Sequence, residues 1–157
     1  MKVEEVMSKD VITCAPADAI QDIVKLMSEK NISGIPVVEH DRLAGMVTEE
    51  DIMKLLAMPK KSETLWLPSP LEVILEIPFR ELMQIRELQH AYTDLGHKPV
   101  KEIMHKEVWT TTPDKDIEDA AAEMVRHKVN RLPVLRDGKL VGIVTRDDII
   151  HGLGGKK

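Results

Sequence analysis

The chain has 157 residues, 43% of them hydrophobic and 31% charged, and its 22 lysines and arginines against 27 aspartates and glutamates give a net charge of −5. That length suits one ordinary soluble domain or two small ones sharing a core, and with Phe79, Tyr92, Trp66 and Trp109 as its only aromatics it has almost nothing on which single-stranded nucleic acid would stack. The acidity disfavours phosphate tracking as well, so nucleic acid is not an expected partner. Cys14, the single cysteine, has no disulfide partner within the chain, and the start MKVEEVMSKD lacks the apolar core of a signal peptide, so a cytoplasmic setting is expected. Pro36, Arg42, Pro68, Pro78 and Arg136 cut the apolar windows before any reaches membrane-spanning length.

The chain repeats itself. Val3–Ile52 aligns without a gap on Val100–Ile149 at a constant offset of 97 residues, with 18 of 50 pairs identical. The identities include Met7/Met104, Pro16/Pro113, Ile20/Ile117, Met27/Met124, Pro36/Pro133, Gly45/Gly142, Thr48/Thr145 and Asp51/Asp148. One register kept through every shared proline and glycine means two copies of one unit.

In chain order, each copy opens on a short extended piece, Val11–Thr13 or Val108–Thr110, that leads towards a proline. A one-sided helix follows, its apolar stripe at Ile20, Ile23, Val24 and Met27, and at Ile117, Ala120, Ala121 and Met124 in the second copy. Two short strands come next, Pro36–Val38 with Leu43–Thr48 and Pro133–Leu135 with Leu140–Thr145. Polar turns join them, and Asp137-Gly138 is a hairpin signal. A second helix begins after Thr48 and after Thr145. Between the copies, Met53–Met58 finishes a helix, Pro59–Ser69 is broken by proline, Leu71–Ile77 is apolar, and Phe79–Leu95 reads as a helix closed by Gly96. The expected organisation is repeat one at 1–58, a linker insertion at 59–97, repeat two at 98–152 and a flexible tail at 153–157.

In both copies a strand ends in a threonine and a carboxylate follows three residues later, Thr48 with Asp51 and Thr145 with Asp148. As local structure this is a capping box, the carboxylate satisfying the cap's N–H at the positive end of the helix dipole. The same geometry offers free N–H groups to a phosphate and a carboxylate to the hydroxyls of a ribose. The two roles are compatible.

Ile35-Pro36-Val37-Val38 with Leu43-Ala44-Gly45-Met46-Val47-Thr48-Glu49-Glu50-Asp51-Ile52, and Leu132-Pro133-Val134-Leu135 with Leu140-Val141-Gly142-Ile143-Val144-Thr145-Arg146-Asp147-Asp148-Ile149, resemble the cystathionine-β-synthase (CBS) domain. The duplication resembles its tandem pair, the Bateman module, here as a stand-alone protein. The resemblance implies an α/β (α+β) fold of two β-α-β-β-α repeats packed through their sheets about a pseudo-two-fold axis, with a partly helical insertion between them. It implies no enzyme and no catalytic cofactor, but a regulatory, energy-sensing module with adenosyl ligands (AMP, ADP, ATP or S-adenosylmethionine) between the repeats. A homodimer and a regulated protein partner are the expected assemblies; the alternatives are a dimerisation platform without ligand and a nucleic-acid-binding regulator.

Family geometry builds each cleft from both copies. The first would join Met46, Thr48 and Asp51 to Lys106, Val108, Trp109, Val129, Arg131 and Pro133. The second would join Ile143, Thr145, Arg146 and Asp148 to Lys9, Val11, Ile12, Ile32, Gly34 and Pro36. Arg131 is the expected distinction, a guanidinium for a phosphate chain in the first cleft against Gly34 in the second. The first is thus the expected nucleotide site, and the second is expected to hold a weakly anionic or uncharged adenosyl compound or nothing, with Lys9 and Arg146 as its remaining sources of charge. Trp109, counterpart of Ile12, either covers an adenine face or fills the interface between copies. The six histidines form no metal-binding pattern, Cys14 reads as a small buried thiol, and the apolar linker either packs on its own module or docks a second copy or a partner.

Overall fold

The computed structural model describes residues 1–57 and 93–155; the apolar linker at 71–77 lies outside them, as does the predicted helix over 79–95 up to residue 92. Each repeat builds one amphipathic helix, one hairpin and one shorter helix. Helix α1 (Val3–Val6) precedes α2 (Ile20–Lys30), strands β1 (Gly34–Glu39) and β2 (Arg42–Thr48), and α3 (Glu49–Ala57). The second repeat opens on a single 3-10 turn (Val100–Glu102) and continues with α4 (Ile117–His127), β3 (Arg131–Arg136), β4 (Lys139–Thr145) and α5 (Arg146–Leu153). Leu153 therefore closes a helix instead of opening the expected tail.

The four strands form one sheet in the order β1-β2-β4-β3, and the two hairpins meet at the single pair Arg42↔Lys139. Both hairpins slip register at the same place, between Val37 and Val38 and between Val134 and Leu135. Helices α2 and α4 end alike, on Asn31 and Lys128 in the left-handed region. Val11–Thr13 and Val108–Thr110 are not strands: each repeat keeps only a one-residue parallel bridge, at Cys14 and at Thr111. Cys14 N–H donates to the Pro36 carbonyl at 3.1 Å and Thr111 N–H to the Pro133 carbonyl at 3.0 Å. With prolines at 16 and 113 the chain turns away after this single rung.

The leading segments are exchanged. Val3 is fully buried in the second repeat's core with Ile117, Met124, Leu132 and Val144, and Val100 in the first repeat's core with Ile20, Met27, Ile35 and Val47. The bonds keep the duplication: Val3 N–H donates to the Lys115 carbonyl at 2.9 Å, and Val100 N–H to the Asp18 carbonyl at 2.8 Å. Beyond them, His105 pairs with Met46 and Ser8 with Ile143. This crossing needs glycine beneath it. A Cβ at Gly45 would lie 2.7 Å from the His105 carbonyl oxygen, and one at Gly142 3.1 Å from that of Ser8. Each core is thus completed by the other repeat's first residues, which removes the apolar cost of leaving either half alone.

Candidate functional site

The exchange leaves two clefts between the repeats, of about 430 Å³ and about 640 Å³. Each forms where a hairpin strand runs into a helix N-terminus opposite the other repeat's leading segment. The helix starts are pinned alike, Glu49 N–H donating to the Ser33 carbonyl and Arg146 N–H to the Asn130 carbonyl, both at 3.1 Å.

The smaller, first cleft brings together Met46, Thr48 and Asp51 with Val108, Trp109, Val129 and Arg131. Lys106 and Pro133 do not line it; Pro133 is fully buried, its carbonyl taken by Thr111. The larger, second cleft brings together Val11, Ile12, Ile32, Gly34 and Pro36 with Ile143, Thr145, Arg146 and Asp148, and Lys9 does not line it.

The Thr-x-x-Asp turns have the capping geometry. Asp51 Oδ2 accepts from Thr48 N–H at 2.8 Å and from Thr48 Oγ1 at 2.9 Å; Asp148 Oδ2 accepts from Thr145 N–H at 2.8 Å and from Thr145 Oγ1 at 2.7 Å. Asp148 N–H closes the second box on Thr145 Oγ1 at 3.2 Å. Sequence reasoning missed several residues that line the first cleft, among them Lys54, Glu107 and His127, and above all His105, whose Nδ1 lies 3.1 Å from Asp51 Oδ2. Its repeat counterpart, Ser8, has no imidazole to offer Asp148. The partners are 54 residues apart, and only the leading-segment crossing brings them together.

Trp109 does not fill the interface between copies. It is 49% exposed at the rim of the first cleft, its ring on the His127 imidazole at a centroid distance of 3.4 Å and an angle of 13°. His127 Nε2 is held by Glu123 at 3.0 Å, which fixes the lower ring of the stack.

Arg131 corrects the expected charge contrast, because it lines both clefts. Its Nη1 donates to the Gly34 carbonyl at 3.2 Å and its Nη2 to Ser33 Oγ. Gly34 is the repeat counterpart of Arg131, so the guanidinium reaches across the pseudo-two-fold axis into the space its own counterpart leaves by lacking a side chain. A Cβ at Gly34 would stand 2.8 Å from Nη1. Burial pulls the guanidinium down from its ordinary range while Glu49 opposes the shift, and it stays a cation. The contrast moves to the helix starts, where the first cleft has Glu49 and the second Arg146.

Cys14 is buried against β1 and lines neither cleft; burial pushes its thiol up to about 12. Among the described residues, no group of three or more His, Cys, Asp or Glu side chains is placed to hold a metal ion, and no helix is long and apolar enough to cross a membrane.

Known proteins share this arrangement. An uncharacterised protein of Methanocaldococcus jannaschii, MJ1426, is 36% identical over 155 residues, covering 98% of this chain and 91% of its own. The CBS domain-containing protein YhcV of Bacillus subtilis is 31% identical over 147 residues, covering 94% of this chain and 81% of its own. Among solved structures, the CBS domain pair of protein MJ0100, in complex with 5′-methylthioadenosine and S-adenosyl-L-methionine, superposes with a TM-score of 0.70 at 27% identity, covering 100% of this chain and 98% of its own. The family model described as the CBS domain matches residues 3–58 and again residues 100–155. The chain belongs to the CBS domain family and is a tandem pair of its domains.

Proposed function

We propose that this pair is a non-catalytic regulatory module that binds adenosine-containing ligands in its two clefts and signals through the packing of its repeats. The observation that carries the reading is the paired Thr-Asp turn at a helix N-terminus, built twice and facing the other repeat each time. The capping bonds fall on Oδ2 of Asp51 and of Asp148, which leaves Oδ1 as the acceptor for a ribose hydroxyl. The adenosyl ligands of the MJ0100 pair support the same class here. Trp109, already stacked on His127, supplies a flat face for adenine in the first cleft.

The ligand tail follows from charge. AMP, ADP or ATP suits the second cleft, where Arg146 stands at the helix start beside Arg131. The first cleft is lined by Lys54 and Lys128 as well as by acids, but Lys54 is paired with Glu50 and the helix start itself is Glu49, which suits an adenosyl compound without a phosphate chain, such as S-adenosylmethionine. A ligand that touches both repeats shifts the module only by its differential affinity for two packings, and a second copy of the chain or another protein reads the shift.

Calorimetric titration with AMP, ATP, S-adenosylmethionine and 5′-methylthioadenosine tests the proposal. At least one should bind and raise the melting temperature. Absence of binding by all four at millimolar concentration overturns it in favour of a ligand-free dimerisation platform, whose sedimentation would be the same with and without nucleotide.

A further inference from the structure

The two clefts share one cation. Arg131 lines both, and so do Ser33 and Asn130, the counterpart residues that carry the two helix starts on their carbonyls. A strictly symmetric duplication would give each cleft its own residue at this position. Here the axis has room for one side chain: Gly34 supplies none, and the guanidinium of Arg131 fills the gap against the Gly34 carbonyl and the Ser33 hydroxyl.

We infer that Arg131 couples the two clefts antagonistically, so that a phosphate-bearing nucleotide in one weakens phosphate binding in the other. The inference rests on the proposed reading of the clefts as adenosyl sites. A guanidinium presents one planar fork of donors, and a phosphate engages it best through two parallel bonds. Turning that fork to a phosphate on one side removes it from the other. A second phosphate would meet the first across a half-buried wall, where the repulsion of like charges is less screened than in water. Both effects have the same sign. Neither acts on a ligand without a phosphate, so adenosine in one cleft leaves adenosine binding in the other unchanged.

The resting contacts show what must be given up. Drawing the guanidinium to a phosphate breaks its bonds to Gly34 and Ser33, residues of the loop and strand that hold the start of α3 through the Ser33 carbonyl. Occupancy of the second cleft is thereby felt at the helix start of the first, a direct mechanical route beside the electrostatic one.

The test is a binding cycle on the full chain with AMP and adenosine. Asp51→Ala and Asp148→Ala each disable one cleft and give the AMP affinity of the other alone; the wild type gives the two-step isotherm, with stoichiometry checked by native mass spectrometry. The second AMP should bind the wild type roughly fivefold or more weakly than the same cleft binds it alone, the range of ordinary coupling between sites. Adenosine should show two independent steps. Arg131→Gln should weaken AMP in both clefts and abolish the coupling. Independent AMP steps in the wild type, or equal coupling for adenosine and AMP, overturn the inference and leave the adenosyl reading standing. Failure of both compounds and of S-adenosylmethionine to bind removes the adenosyl reading itself, and the inference with it.

Discussion

The two clefts are made by the same backbone and differ in a handful of counterpart side chains. Where the second has Ser8, Ile12 and Arg146, the first has His105, Trp109 and Glu49. The hairpin registers, the ends of α2 and α4, the bonds that anchor Val3 and Val100, and the bonds from each threonine to its aspartate Oδ2 are the same in both. The apolar interior and the crossing need symmetric partners, because each repeat completes the other's core. The rims answer to no such need, so they are free to diverge. At the axis the counterparts differ most, since a side chain at 34 would meet the guanidinium already there, its Cβ standing 2.8 Å from Arg131 Nη1.

The largest expected effects test the symmetric part. Ile35 and Leu132 are counterparts, each fully buried in its own repeat's cluster. Truncating either to alanine should cost about 2–5 kcal/mol, and by similar amounts, in chemical denaturation followed by circular dichroism. A single cooperative transition is expected in both variants because the exchanged segments link the cores. Two separate transitions in either variant would break the claim that the halves depend on each other.

The carboxylates come next and separate the clefts. Asp51→Ala should weaken adenosine about tenfold or more at the first cleft only, and Asp148→Ala at the second only, since each loses a charge-assisted acceptor. Each substitution also removes capping bonds, worth about 1 kcal/mol of stability. Calorimetry of both variants against one ligand shows whether the sites are distinct; equal losses at both steps from either substitution would refute the assignment.

A smaller effect sharpens the contrast between the rims. Glu49→Arg gives the first cleft the helix start of the second, and Arg146→Glu does the reverse. AMP affinity should rise about three- to tenfold in the first case and fall by a similar factor in the second, with adenosine unchanged in both. The difference should shrink with added salt.

How much of this the sequence discloses follows from what a repeat can carry. The offset of 97 residues, the helix stripes, the hairpins and the Thr-Asp turns are legible because each is local: a proline, a glycine or an apolar period sits in the segment it shapes. The exchange is not local. Val3 and Val100 stand in matching contexts, and nothing in either context says which core receives it. The missing first strand has a similar cause, since Val11–Thr13 has strand-like residues but only Cys14 finds a partner in β1. Arg131 stands out in sequence as the one charged member of its pair, yet its reach into both clefts depends on the axis passing beside Gly34. His105 beside Asp51 depends on the crossing in the same way.

The last effect lies outside the clefts and concerns Cys14, whose counterpart is Thr111, a residue with no thiol to titrate. Burial raises the Cys14 thiol from 9.0 to about 12, with Asp18 adding to the shift. The folded chain therefore holds the thiol proton more tightly than the unfolded chain does. Below pH 9 both states keep the proton and the full contribution to stability is present. Between pH 9 and pH 12 the unfolded thiol ionises while the folded one does not, so stability falls as pH rises, by at most about 1.4 kcal/mol per pH unit from this group. Cys14→Val keeps an apolar side chain at the position and has nothing to ionise. Urea denaturation at pH 8, 9.5 and 10.5 should show the wild type losing more stability than the variant across that range, and alkylation of the native protein should be slow. Parallel pH profiles for wild type and variant would mean that the thiol is not held against β1 as the structure places it.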